Sequence, residues 1–317
     1  MLTRALATEV FPVENPADES EVGCSPRCGQ ADVDRAVTAA HRAFAAWSRT
    51  SARERGDLLR KAADALEAKA EELALLVCLE TGNALRTQAR PEIGAMLETI
   101  RHFAGIAPEL KGQTIPWEAG KLCYTTREPI GVVGAIIPWN APLFLAACKL
   151  GPALAAGNTL VLKAAEQAPL CVIRFFEILQ EVLPPGVANA ITGFGEEAGR
   201  PLVEHAFVKK VTFTGSSSVG KMIMHYAADK LCPVTLELGG KSPNIVMPDA
   251  DLDLVVPGIV TGMRFTRQGQ SCSAGSRLLI HEKIYDDVVS RVVEAVEALR
   301  IGDPMDESTD TGARGRT

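Results

Sequence analysis

From Gly131 onward, short apolar runs alternate with helix-length segments, and this alternation restricts the chain to few architectures. The runs cover residues 132–137, 159–163, 188–192, 211–214 and 234–238. Strands separated by a helix's length of chain return in the same direction, so the pattern predicts an α/β fold with a parallel sheet. The runs are read as unbroken apolar stretches, which predicts strands covered on both faces. After Gly240 a further α/β stretch follows, with strands over 244–247 and 277–281, a helix near 251–264 and another running to Arg300. No internal repeat or low-complexity linker is present.

The first third reads as helix. Ser51 and Glu54 have capping-box spacing. Leu58, Leu59, Ala62, Leu66, Leu73, Leu76 and Val77 then keep a helical apolar stripe, the mark of scaffold packing. Residues 111–129 read as a hairpin, with a turn at Glu118-Ala119-Gly120-Lys121 and strand character over 122–126. The most apolar stretch, 141–156, holds Lys149 and two prolines and is too short to span a bilayer, so it reads as a buried helix.

A chain of 317 residues exceeds one ordinary core, so two domains are expected. A net charge of −6 without a basic stripe argues against nucleic acid. Residues 1–13 lack an apolar stretch followed by a cleavage site, so no targeting segment is expected. Eight cysteines without repeating spacing read as reduced thiols of a cytoplasmic protein. Cys24 and Cys28 are four apart, but no second pair or histidine cluster completes a metal site.

Two segments carry chemistry. Cys272 lies in Gly269-Gln270-Ser271-Cys272-Ser273-Ala274-Gly275-Ser276-Arg277. A lone cysteine is usually a small inert hydrophobe. Small neighbours around this one leave room for a substrate and for backbone amides, which suits a nucleophile. Glu237 lies in Leu236-Glu237-Leu238-Gly239-Gly240-Lys241-Ser242-Pro243. The plain reading is a surface carboxylate or a partner for Lys241. As the only acid of an apolar strand ending in two glycines, it is instead expected to be buried and to act as a general base. Together the two residues would form a thioester and then hydrolyse it.

Other segments are weaker alone. Asn140, in Ile136-Ile137-Pro138-Trp139-Asn140, is either a turn asparagine or an amide aimed into a cleft. Lys163 and Glu166 follow a strand, where charges are commonly just solvated. Gly193-Phe194-Gly195-Glu196-Glu197-Ala198-Gly199 misses the dinucleotide fingerprint by one position. Gly215-Ser216-Ser217-Ser218-Val219-Gly220-Lys221-Met222 nearly matches a phosphate-binding P-loop. Met222 stands where a magnesium-ligating hydroxyl is required, which counts against nucleotide hydrolysis.

Taken together, these motifs resemble the aldehyde dehydrogenase superfamily, hydrolytic type, in family order over about 15–310. The resemblance implies a Rossmann-like cofactor domain over 1–110 and 130–239, an oligomerisation arm over 111–129, and the N-terminal part of an α/β catalytic domain over 240–317. It implies oxidation of a small-molecule aldehyde to a carboxylic acid, with Cys272 as nucleophile, Glu237 activating water, and Asn140 with the Cys272 backbone N–H as oxyanion hole. Members that pass the acyl group to coenzyme A typically lack this glutamate. The cofactor-binding positions implied are Ile136, Pro138, Trp139, Lys163, Glu166, Gly195, Phe213, Gly215, Ser216, Val219, Leu238 and Gly239. NAD is favoured over NADP because a carboxylate at Glu166 would repel a 2′-phosphate. No metal, nucleic acid or membrane is implied, and a homo-oligomer is expected of the full-length member.

Departures from the family pattern carry expectations too. Ala164 replaces a usual proline after Lys163. The spacing from Glu237 to Cys272 is one residue longer than usual. Ala141 and Cys148 stand where aromatics are frequent, which predicts a roomier entrance, and Arg267 offers a cation to an anionic substrate. The family pattern breaks off after Gly312, which suggests a truncated product with little turnover. A non-catalytic remnant that keeps dinucleotide or subunit binding is the alternative, and a P-loop hydrolase a further one.

Overall fold

The computed structural model describes residues 5–312; the break of pattern after Gly312 lies outside the described residues. The central sheet has five parallel strands in the order β7-β6-β5-β8-β9. These are β5 (Val132–Ile136), β6 (Thr159–Lys163), β7 (Ala188–Ile191), β8 (Val208–Gly215) and β9 (Val234–Leu238). The chain starts in the middle, builds outward through β6 and β7, then returns to the other side of β5 for β8 and β9. That reversal makes a topological switch between β5 and β8, where a crevice opens beyond the carboxyl ends of the strands.

Side chains of successive strand residues leave the sheet on opposite faces. Val132, Val161, Val208, Val211 and Phe213 enter one core with Val33 and Val37 of α1 (Gln30–Trp47), Leu202 of α7 (Arg200–Glu204) and Ile223 of α8 (Ser217–Ala228). Val133, Ala135, Leu160 and Leu162 enter the other core. There they meet α5 (Pro142–Ala155) and α6 (Leu170–Gln180), backed by α2 (Ala52–Glu67), α3 (Ala70–Thr81) and α4 (Arg90–Ile106).

Two buried glutamates lock these helical layers together. Helix α5 begins at Pro142, and Glu92 of α4 accepts its free amides from Leu143 (2.9 Å) and Phe144 (3.3 Å). Glu80 of α3 does the same for α6, accepting from Leu170 (2.6 Å) and Cys171 (2.7 Å). A carboxylate at a helix N-terminus satisfies orphan donors and complements the dipole. Burial nevertheless dominates and pushes both carboxyls up to about 7. At its other end α5 is held by Arg55 of α2, whose Nε donates to the Ala155 carbonyl at 3.0 Å.

Two expectations are corrected, for the N-terminal segment and for β9, while the helical stripe is resolved into its elements. The first third is not all helix, because β1 (Val10–Glu14) and β2 (Glu21–Pro26) pair antiparallel. Pro12 and Pro26 hide these strands, since proline is depleted from sheets. The stripe over 58–77 belongs to two helices, α2 capped at Ser51 by a 3.2 Å bond from the Glu54 amide, and α3 beginning at Ala70. Coverage on both faces fails for β9, which alternates half-buried and exposed residues at the sheet edge.

The segment 111–129 forms a hairpin of β3 (Thr114–Ile115) and β4 (Cys123–Tyr124), turned at Gly120 with φ +82°. Trp117, Leu122 and Tyr124 on it are exposed. Beyond Gly240, β10 (Pro243–Val246) and β11 (Arg277–Ile280) form a two-stranded parallel sheet. Against it pack α9 (Leu252–Met263) and α10 (Tyr285–Glu297) around Val246, Val256, Ile259, Val288 and Val292.

Candidate active site

The strand register brings the carboxyl ends of four strands into line. Ile136 on β5 sits beside Lys163 on one side and Phe213 on the other, while Thr214 and Gly215 pair with Glu237 and Leu238. Pro138, Trp139 and Asn140 leave the end of β5 half-buried and lead into α5. Lys163 is buried, and its Nζ lies 3.0 Å from the half-buried Glu166 carboxylate. Gly195 opens an exposed turn, where an added Cβ would meet nothing within 4 Å.

The β8–α8 turn is fitted to glycine and serine. A Cβ at Gly215 would come within 2.4 Å of the Phe213 ring, so the buried ring dictates the glycine. Ser216 caps α8 by accepting from the Val219 amide at 3.3 Å, and residues 216–219 are exposed. This exposed start of a 12-residue helix suits an anionic group.

Side-chain amides on both sides tie the cysteine turn to the body of the molecule. Asn140 Nδ2 donates to the Gln270 carbonyl at 2.9 Å, and Asn83 Nδ2 donates to the Asn140 carbonyl at 3.3 Å. Gln88 reaches the Thr266 hydroxyl (2.6 Å), and Gln268 reaches the Gly82 carbonyl (2.8 Å). A Cβ on Gly240 would lie 3.3 Å from the Cys272 carbonyl oxygen, which brings the end of the Glu237 segment beside the cysteine. On the far side, Gly275 lies under Asn244, where a Cβ would approach within 2.3 Å. Cys272 itself is exposed, between Ser271 and Ser273 whose hydroxyls lie 3.2 Å apart.

The burial expected of Glu237 is not found. It is exposed, because β9 is the outer strand of the sheet and the face carrying Thr235 and Glu237 is open. Asn140 does reach toward the cysteine turn, but one of its two amide N–H groups is engaged on Gln270. The guanidinium of Arg267, read as a substrate cation, has its Nε enclosed and feels the charge of the buried Glu92.

Sequence reasoning passed over several residues here. Asn83, Gln88 and Gln268 look like ordinary loop and helix polars, and their partners lie up to 186 residues away. Lys149 sat inside an apolar run read as scaffold. It is buried, burial lowers its pKa, and the negative charge of Glu237 counters that. A lysine inside an otherwise apolar helix was the available signal. Beside it, burial raises the Cys148 thiol. Among the described residues, no group of three or more His, Cys, Asp or Glu is placed to hold a metal. No described helix is long and apolar enough to cross a membrane.

The chain is similar to known proteins along nearly all of its length. Residues 3–315 match the model of the aldehyde dehydrogenase family. Acetaldehyde dehydrogenase 2 of Cupriavidus necator is 45% identical over 312 residues, covering 96% of this chain and 61% of that protein. The crystal structure of PnpE in complex with nicotinamide adenine dinucleotide superposes with a TM-score of 0.95 at 44% identity, covering 98% of this chain and 64% of that one. PnpE comes from Pseudomonas sp. WBC-3. The NAD+ complex of aldehyde dehydrogenase from Bacillus cereus gives a TM-score of 0.94 at 42% identity, again covering 98% and 64%. The chain thus spans less than two thirds of the length of these relatives. With that coverage and a family match along nearly all of its residues, this chain belongs to the aldehyde dehydrogenase family.

Proposed function

We propose that the chain carries the machinery for NAD-dependent oxidation of an aldehyde to a carboxylic acid, with Cys272 as nucleophile, Glu237 as general base and Asn140 as an oxyanion donor. The observation that carries the reading is the Asn140–Gln270 hydrogen bond of 2.9 Å together with the approach of Gly240 to the Cys272 carbonyl. These contacts join the cysteine turn to the ends of β5 and β9, at the crevice where an α/β sheet binds its ligand.

The residues present fit the dinucleotide. The Lys163–Glu166 pair offers a cation and a carboxylate for ribose hydroxyls, and the carboxylate disfavours a 2′-phosphate. Ser216 and Val219, at the exposed start of α8, suit the pyrophosphate. Ile136, Pro138, Trp139, Gly195, Phe213, Gly215, Leu238 and Gly239 complete the proposed lining. When bound, NAD supplies the acceptor for the hydride that leaves the substrate carbon.

Cys272 sulfur forms a bond to the aldehyde carbon, and the carbonyl electron pair moves onto oxygen. The Cys272 backbone N–H and the remaining Asn140 N–H stabilise that alkoxide. Loss of hydride from the carbon leaves a thioester on Cys272. Glu237 takes a proton from water, the hydroxide adds to the thioester carbonyl, and the carbon–sulfur bond breaks to release the acid and restore the thiolate. An exposed Glu237 has direct access to that water.

Around this centre we assign residues 1–110 and 130–239 to the cofactor domain, 240–317 to the N-terminal part of the catalytic domain, and the exposed hairpin 111–129 to subunit contact. The eight free thiols suit a reducing cytoplasm. The test is NADH formation by the purified chain over a panel of aldehydes, alongside Cys272→Ala. Reduction that depends on aldehyde and is lost in the variant is expected. Reduction that survives the variant, or none with any aldehyde, overturns the reading.

A further inference from the structure

We propose that Asn83, in the buried turn Thr81-Gly82-Asn83, is a positioning residue for the reaction: it holds Asn140 by the main chain and so aims the Asn140 amide as an oxyanion donor. This inference rests on the reading of Asn140 as that donor and of Cys272 as the nucleophile.

The turn is fixed by its own hydrogen bonds. It ends α3, where Gly82 takes the left-handed conformation (φ +68°) that a residue with a Cβ adopts only at a cost. The Gly82 N–H donates to the Cys78 carbonyl at 2.9 Å. The Thr81 hydroxyl donates to the Val77 carbonyl (2.6 Å) and accepts from the Asn83 N–H (3.2 Å), which bends the chain back on the helix end. Thr81 is 2% exposed and Asn83 1%, so neither touches a substrate in the crevice. Any part they take in the reaction runs through other residues.

Such residues lie on both sides of the site. Asn83 Nδ2 donates to the Asn140 main-chain carbonyl (3.3 Å), while the Asn140 side chain donates to the Gln270 carbonyl (2.9 Å). Asn140 is thereby held at main chain and side chain, which gives its second amide N–H a set direction. The orientation of the Asn83 amide follows from its acceptor, since a reversed amide would set two oxygens face to face. On the other side, the Gly82 carbonyl accepts from Gln268 Nε2 at 2.8 Å, within the cysteine turn. Residues 82 and 83 share a peptide bond, so the anchor of the oxyanion donor and the anchor of the nucleophile's turn cannot drift independently. An oxyanion donor is effective when it already stands where charge develops, and a fixed frame of this kind keeps it there.

The test compares two reactions of Cys272, each scored on the Cys272 peptide by mass spectrometry, in chains that all carry Glu237→Gln so that a thioester is retained. Acetylation by p-nitrophenyl acetate passes through a tetrahedral oxyanion. Sulfur bonds to the acetyl carbon, and p-nitrophenolate leaves with the electron pair of the broken carbon–oxygen bond. Alkylation by iodoacetamide forms no oxyanion. Asn83→Ala is expected to slow acetylation about tenfold and to change alkylation less than about twofold. Asn140→Ala slows acetylation at least as far, and the double variant no further, because both substitutions act on one donor. Thr81→Val, near-isosteric but without the hydroxyl that orients Asn83, gives the same selective loss on a scale of about threefold. It decides alone should Asn83→Ala fail to fold. With Asn140→Ala selective, a loss shared equally by both reactions, no loss, or losses that add in the double variant overturn the inference and leave the oxyanion reading standing. Asn140→Ala without a selective loss, or Cys272 that is not acetylated before either substitution, removes both.

Discussion

The central sheet and the segment after Gly240 are built from the same kinds of element, yet they are stabilised very differently. Strands β5 and β6 are buried along almost their whole length, between two cores that draw on six or more helices. Strands β10 and β11 have only each other, and the small core against them is rimmed by exposed Ile245, Met247, Leu254 and Leu279. A two-stranded parallel pair gains little by itself. The cysteine turn lies between β10 and β11 in the chain, so its geometry is not inherited from a rigid sheet. It is borrowed from the well-packed side through Asn83, Gln88 and Asn140, and through the bond of Gln268 to the Gly82 carbonyl. One half of the site is rigid because it is buried, the other because it is tethered.

The sharpest way to break this contrast is to make the same truncation on each side. Leu150→Ala, in the fully buried part of α5, is expected to cost about 3 kcal/mol by chemical denaturation. Leu279→Ala, half-exposed on β11, is expected to cost about 0.5 kcal/mol or less. Equal losses would show that the two regions are one cooperative core of uniform depth.

The buried carboxyls give the next effect in size. Glu80 has its folded value raised to about 7 from 4.5, so the native state holds this proton more tightly than the unfolded chain. Its contribution is complete below about 4.5 and is lost as pH rises through about 7, on the order of 3 kcal/mol. Stability measured across that window is expected to fall with rising pH, and Glu80→Gln is expected to flatten the slope. A slope unchanged in the variant would contradict the assignment.

The tethers give the smallest stability effect. Gln88→Ala removes the 2.6 Å bond to Thr266 and is expected to cost about 1 kcal/mol. Amide hydrogen exchange is expected to accelerate over 264–275 in this variant, while β5 and β6 stay protected. Acceleration spread evenly over the sheet would sink the idea of local tethering.

What the sequence disclosed follows the same division. Strands β5, β6 and β8 were legible because burial on both faces leaves a nearly continuous apolar run. Strand β9 misled: Val234, Leu236 and Leu238 alternate with Thr235 and Glu237, a period of two that marks a half-exposed strand. Reading it as a buried run also buried Glu237 wrongly. The β1–β2 pair was masked by its prolines. Cys272, Asn140 and the glycine turns were recognisable from local wording, but what holds them was not. Gln270 is 130 residues from Asn140, and Thr266 is 178 from Gln88, so no local pattern records those bonds.

The account's central claim is that the Cys272 sulfur, tethered at the sheet's carboxyl edge, takes the acyl group of an oxidised aldehyde. Its most direct test is mass spectrometry of the Glu237→Gln variant after brief exposure to NAD and an aldehyde. The acyl mass is expected on the peptide containing Cys272, and only when both reagents are present. NADH formed with that peptide unmodified, or the acyl group found on another cysteine, would contradict it.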